Sequence, residues 1–136
     1  MRVTTINPLE DSRWDDFVMG HPESTIFHHS DWARVLRDRY ESSPTYYVIE
    51  GVHGEIVAAA PFVFIPSSLA GRRLVCLPCS EYGFPLVHSS EAIVQLIAAA
   101  KEEVKSGRVS FLEIRGWGSL GMPSEMGFME SPTYLR

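Results

Sequence analysis

Cysteine is scarce: the chain has only Cys76 and Cys79, too few for the disulfide framework of a small secreted domain. Long apolar runs are missing too. Met1-Arg-Val-Thr-Thr-Ile6 lacks the hydrophobic core of a signal peptide, and no stretch reaches membrane-spanning length, so a reduced, cytoplasmic setting is the expectation. Nor is there an excess of positive charge. Against 12 Lys and Arg stand 17 Asp and Glu, a formal net charge of -5. A general basic field for nucleic acid or an anionic membrane is therefore absent, although the adjacent Arg72 and Arg73 leave a local basic site open. No internal repeat or low-complexity tract is present. What is there is ordinary for one globular domain: 136 residues, 45% hydrophobic and 21% charged, enough for a real core.

Periodicity lays out the elements. Val3 to Ile6 reads as a strand ended by Asn7-Pro8. Ser12-Arg-Trp-Asp15 has the Ser-x-x-Asp form of a helix start, with Trp14, Phe17 and Val18 on one face and Gly20 and Pro22 closing it. Ser30 is placed to cap a second helix, whose apolar stripe is Trp32, Val35, Leu36 and Tyr40 and whose wetter side is Arg34, Arg37, Asp38 and Arg39. Two strands follow around the Gly51-Val-His-Gly54 turn: Thr45 to Glu50, and Ile56 to Ile65. The second is apolar enough to be central, with Pro61 marking a bulge or a break in pairing. Arg73 to Leu77 adds a fourth strand, and the three read as an antiparallel meander. Ser89 or Ser90 begins the longest helix, which ends at Gly107 and carries the stripe Ile93, Leu96, Ile97, Ala100 and Val104. Val109 to Arg115 is a fifth strand. Beyond it, glycine and proline leave a weakly structured tail over 117–136, with room for one short strand near Phe128 or Tyr134.

The stretch from Leu69 to Val87 organises the rest. Its strand stops at Pro78 and delivers a thiol, a hydroxyl, a carboxylate and a phenol into the loop Cys79 to Pro85. Cys76-Leu-Pro-Cys79 fits neither a redox pair, which needs a helix N-terminus at the first thiol, nor a zinc site, which needs further ligands. A buried strand cysteine and an incidental loop cysteine is the reading, with no metal. His28 and His29 offer a general base or a metal ligand, against a local backbone bond beside the second helix. Trp14 and Trp32 belong to the core. Glu81, Tyr82 and Arg115 are the candidate binding set, with His28 beside them. If the fifth strand lies next to the fourth, all three line one cleft, where Arg115 can bind a carboxylate or phosphate bidentately. The competing reading is an internal salt bridge from Arg115 to Glu81 or Glu113.

The order β-α-α-β-β-β-α-β resembles the first part of the GNAT acyltransferase fold, an α/β (α+β) architecture with a twisted, mainly antiparallel sheet and helices on its faces. Thr25-Ile-Phe-His28 with Trp32-Ala-Arg-Val-Leu36, then Leu69-Ala-Gly-Arg72, Leu77-Pro78, Tyr82-Gly83, Pro85-Leu86 and Leu112-Glu-Ile-Arg115 are similar to the N-terminal half of the Fem-type transferases. These are bacterial peptidoglycan bridge-forming aminoacyltransferases and their looser relatives in polysaccharide gene clusters. The resemblance implies transfer of an acyl or aminoacyl group to an amine of a cell-wall or polysaccharide precursor, a small-molecule or lipid-linked sugar. The alternative is a catalytically silent half-domain that binds such a precursor or a partner chain. The resemblance further implies that residues 1–136 are one GNAT-like domain of a longer two-domain enzyme, using aminoacyl-tRNA or acyl-CoA as donor only at full length. The Gln/Arg-x-x-Gly-x-Gly/Ala diphosphate loop of acetyl-CoA enzymes is replaced here by Cys79 to Ser90, with one glycine and Pro85. No bound cofactor is expected, therefore, and isolated acetyl-CoA binding is not. Phe128, Met129, Tyr134 and Leu135 are too apolar for a free terminus, which leads to the expectation of a homo-oligomer or a second GNAT-like domain.

Overall fold

The computed structural model describes residues 1–41, 44–66, 71–78 and 83–114. Cys79, Glu81, Tyr82, Arg115 and the 117–136 tail lie outside the described residues. The elements are β1 (Arg2–Ile6), α1 (Arg13–Gly20), α2 (Ser30–Tyr40), β2 (Tyr46–Glu50), β3 (Ile56–Ala60), β4 (Phe62–Ile65), β5 (Arg73–Cys76), α3 (Ser90–Lys105) and β6 (Phe111–Ile114). The α/β order expected from the sequence is therefore observed, with one change. The single central strand over 56–65 is broken at Pro61 into β3 and β4. Proline has no N–H to give to a ladder, and its carbonyl instead accepts from Leu77 N at 3.1 Å.

That break divides the pairing. Among the described residues β1-β2-β3 form one three-stranded sheet, and β4-β5-β6 form a second. The expected meander survives as two antiparallel pairs, β2 with β3 and β4 with β5. Strand β6 adds parallel to β5, in the register Arg73↔Phe111 through Cys76↔Ile114. The strands expected to be neighbours are neighbours.

Helix α3 holds the two sheets together. Its buried residues Ile93, Leu96, Ile97 and Ala100 share one apolar cluster with Tyr47, Ile49, Ala58, Ala60, Phe62, Leu74 and Cys76, while Val104 packs at its margin half-buried. The opposite face is covered by α1 and α2, where Trp14, Val18, Ala33 and Leu36 meet Ile6, Tyr46, Val48, Ala59 and Val63. The stripe expected on α2 is turned: Ala33 and Leu36 are buried, but Val35 is 49% exposed.

The helix starts also differ from the sequence reading. Ser12 makes no capping bond, and the first-turn N–H of Arg13 donates to Asp11 Oδ1 at 3.0 Å instead. Asp11 is held for this by Arg13 itself, whose Nε and Nη2 reach the two carboxylate oxygens at 2.9 and 2.6 Å. His29, not Ser30, caps α2, its Nδ1 accepting from Asp31 N at 3.1 Å. Ser30 lies inside the helix, and its N–H and hydroxyl both donate to Asp15 of α1, at 2.9 and 2.5 Å. One carboxylate thus serves the positive end of the neighbouring helix. In α3 the cap is Ser89, accepting from Ala92 N at 3.2 Å.

Candidate functional site

Parallel strands bind ligands beyond their carboxyl ends, where the connections diverge. Here the parallel pair is β5 and β6, and its last rung is Cys76↔Ile114. In the chain, Glu81 and Tyr82 follow β5 and Arg115 follows β6, and these two strands are adjacent. The geometry of their stems is described although those residues are not.

At the end of β5, Leu77 adopts φ of 45°, a left-handed turn unusual for a leucine. The chain then returns at Gly83, packed so tightly that a methyl group there would fall 2.2 Å from the Cys76 carbonyl oxygen. Leu77 and Gly83 thus lie in contact. After Gly83 the chain resumes along β3, where Leu86 N–H and C=O pair with Ala59 at 2.8 and 2.9 Å. Two imidazoles also hold this arm: His28 Nε2 lies 2.9 Å from Phe84 O, and His21 Nε2 3.3 Å from Val87 O.

His28 is fully buried. Its Nδ1 accepts from Thr25 N at 3.1 Å, so both ring nitrogens are engaged within the chain. Burial pushes its pKa down to about 4, which keeps the ring neutral. That is the local-backbone role, extended by a long-range bond from its second nitrogen. Cys76 is fully buried, and burial drives its thiol well above the ordinary value. It is not the thiolate that redox or metal chemistry needs.

Glu113 was legible only as a salt-bridge partner for Arg115, and the structure gives it more weight. It is the one buried carboxylate among the described residues, 9% exposed. Its rung partner is Val75. Because Leu74 and Cys76 face α3, Val75 and Glu113 project from the opposite face. Arg73 lies on that same face, and its buried Nε has no hydrogen-bond partner among the described residues. The signal in the sequence was a carboxylate set between apolar residues in Phe111-Leu-Glu-Ile114.

A second candidate is a polar cleft of about 530 Å³ between β1 and the start of α1, lined by Thr4, Asn7, Glu10, Asp11, Arg13 and Glu50. Its central charges are already paired. Arg13 bridges Asp11 and Glu50 and also donates to Gly54 O at 2.5 Å, while Arg2 reaches Glu50 at 3.1 Å. These guanidinium contacts hold both carboxyls below the ordinary range. The cleft ties α1 to the hairpin and is left with little charge for a ligand.

No protein-family model matches the sequence, and no curated protein matches it. Solved structures do resemble the fold. One, described as a probable acetyltransferase, superposes with a TM-score of 0.58 at 13% identity, over 97% of this chain and 92% of the other. A second, a ribosomal-protein-alanine N-acetyltransferase from Brucella melitensis biovar Abortus 2308, gives 0.52 at 12% identity, over 88% and 82%. At such identities the likeness is one of fold, and that fold is the α/β architecture of GNAT acetyltransferases.

Proposed function

On the premise of that GNAT-type fold, we propose that this chain is an N-acyltransferase domain moving an acyl or aminoacyl group to the amine of a cell-wall or polysaccharide precursor. The observation that carries the reaction class is Glu113, a buried carboxylate one residue from the carboxyl end of the parallel pair. Acyl transfer to nitrogen needs a neutral amine and somewhere for its proton to go. In this reading the amine nitrogen attacks the acyl carbonyl, the new C–N bond forms, and the bond to the donor's sulfur or oxygen breaks. Glu113 takes the amine proton and passes it to the leaving group. The rest of the acceleration comes from positioning and from stabilising the oxyanion, so a nucleophilic side chain is not required. Glu81, Tyr82 and Arg115 remain the proposed contacts to the precursor.

The acceptor class rests on the motif order from Thr25 to Arg115. The donor is argued from α3. In a helix that holds a diphosphate, the first N–H groups point at it. Here the Ala92 N–H is taken by the Ser89 hydroxyl, and Glu91 places a negative charge in the first turn. Both oppose a coenzyme A diphosphate at that helix end and favour an aminoacyl donor, such as aminoacyl-tRNA handled with a second domain. The same facts favour a second reading, in which the chain binds a precursor without turning it over.

The test incubates purified protein and a Glu113→Gln variant with an amine-bearing peptidoglycan precursor and labelled donor, aminoacyl-tRNA or acetyl-CoA in separate arms. Label should pass from aminoacyl-tRNA to the amine, and the variant should transfer it about 100-fold more slowly with an unchanged melting curve. A variant within threefold of the parent removes Glu113 from the chemistry. Saturable precursor binding with no transfer from either donor establishes the second reading.

A further inference from the structure

His21 and His28, both buried and both outside the proposed chemistry, are bonded in the same way. In each ring Nδ1 accepts a nearby backbone N–H, Glu23 N for His21 and Thr25 N for His28, each at 3.1 Å. In each ring Nε2 faces a carbonyl of the arm, Val87 O or Phe84 O. A backbone N–H only donates and a carbonyl only accepts. Both imidazoles are therefore neutral, with the proton on Nε2. Between these two bonds the arm is paired to β3 through Leu86 and Ala59. The two rings thus satisfy two carbonyls of residues 84–87 that no described strand pairs.

We infer that residues 84–87 form an acid-sensitive latch, held against the body of the protein by neutral His21 and His28 and released when these rings take up protons. A protonated ring carries a second N–H, on Nδ1, aimed at the backbone N–H that it formerly accepted. The Thr25 hydroxyl, 3.0 Å from His28 Nδ1, can turn to accept it, but the buried charge remains. Around His21 the charged groups are His88, whose ring lies 4.5 Å away and opposes a second positive charge, and Glu23, which favours it. His28 faces His21 as its charged neighbour among the described residues. Burial lowers the pKa of both rings, His28 to about 4, and His88 lowers His21 further.

The sign follows from linkage. Unfolded histidine titrates near 6.5, so below that pH the open or unfolded chain binds protons that the latched form refuses. The latch is therefore fully held above about pH 6.5 and lost as pH falls toward 4. The arm joins the Gly83 turn to the Ser89 cap, so release frees one stem of the candidate site. The inference does not depend on the acyl-transfer reading, because it concerns hydrogen bonds within the chain.

The test uses the intact 136-residue chain, labelled with ¹⁵N. At pH 7.5 both rings should show the Nε2–H tautomer. Between pH 7 and pH 5 the Leu86 amide, corrected for intrinsic exchange, should lose at least tenfold of its protection relative to the Val48 amide on β2. A His21→Gln/His28→Gln double variant donates to the same carbonyls without titrating, and its Leu86 to Val48 ratio should stay constant. Leu86 and Val48 accelerating in step in the parent, an Nδ1–H tautomer at pH 7.5, or a double variant that keeps the tenfold change would each overturn the latch. If the double variant does not fold, the parent's tautomers and exchange ratio decide alone.

Discussion

Gly83 is fixed by its neighbours' backbone rather than by its own dihedral freedom. A methyl group there meets the Cys76 carbonyl oxygen at 2.2 Å and the Leu77 carbonyl oxygen at 3.0 Å, and neither can swing aside like a side chain. Gly83→Ala should cost about 3 kcal/mol or more in urea unfolding, and a loss below 1 kcal/mol would mean the turn is looser than described. Tyr46 presents the opposite case. It is fully buried, packed edge-on to Trp14 at 5.0 Å, yet its hydroxyl has no hydrogen-bond partner among the described residues. Burial, with a smaller contribution from the neighbouring Cys76, raises its pKa strongly. Removing an unsatisfied buried hydroxyl should be neutral or stabilise by about 1 kcal/mol, so Tyr46→Phe should melt no lower than the parent. A clear drop would point to a partner for that hydroxyl. The sequence marked Gly83 as a bend, but its proximity to Cys76 is set by the tertiary structure.

The helix starts show what local pattern leaves open. Ser12, Ser30 and Ser89 are equally good capping residues in the sequence, yet only Ser89 caps. At α1 an Asp-Arg pair forms the nearer acceptor, and at α2 His29 caps while Ser30 is drawn to Asp15 of another helix. Asp15 and Ser30 should therefore be coupled. Asp15→Ala, Ser30→Ala and the double variant form a cycle whose interaction energy should be about 1–2 kcal/mol, the worth of the hydroxyl's hydrogen bond to a charged group, since the backbone N–H bond survives in Ser30→Ala. Additive effects would show that Asp15 acts on α2 only through its charge. Pro61 belongs to the same scale. Its missing N–H is visible in the sequence, whereas the transfer of pairing from β2 before it to β5 after it is not.

At the scale of the molecule, two three-stranded sheets share one helix. Leu96 is fully buried in a cluster drawing on β2, β3, β4 and β5. If that shared core couples the sheets, unfolding is a single transition. Leu96→Ala should lower stability by about 2–5 kcal/mol and keep one transition, with far-UV and near-UV circular dichroism coinciding. Separate transitions for the two signals would show that the sheets unfold independently.

The sequence by itself determined the order of the elements, the stripe of α3 and the absence of a general basic field, because each depends on local periodicity or on a sum over residues. It also determined that a proline at 78 closes off the β5 stretch and that a polar stretch follows. Only the tertiary structure decided that β6 runs parallel to β5 with Glu113 buried beside Val75, since parallel pairing joins segments separated by a helix. Tertiary structure also decided the work of the histidines. His21 and His28 are seven positions apart in the chain, and their acceptors, Phe84 and Val87, are more than fifty residues away. A hydrogen bond across that separation leaves no periodic trace, because it depends on how two loops are brought together by the core rather than on the residues flanking either ring.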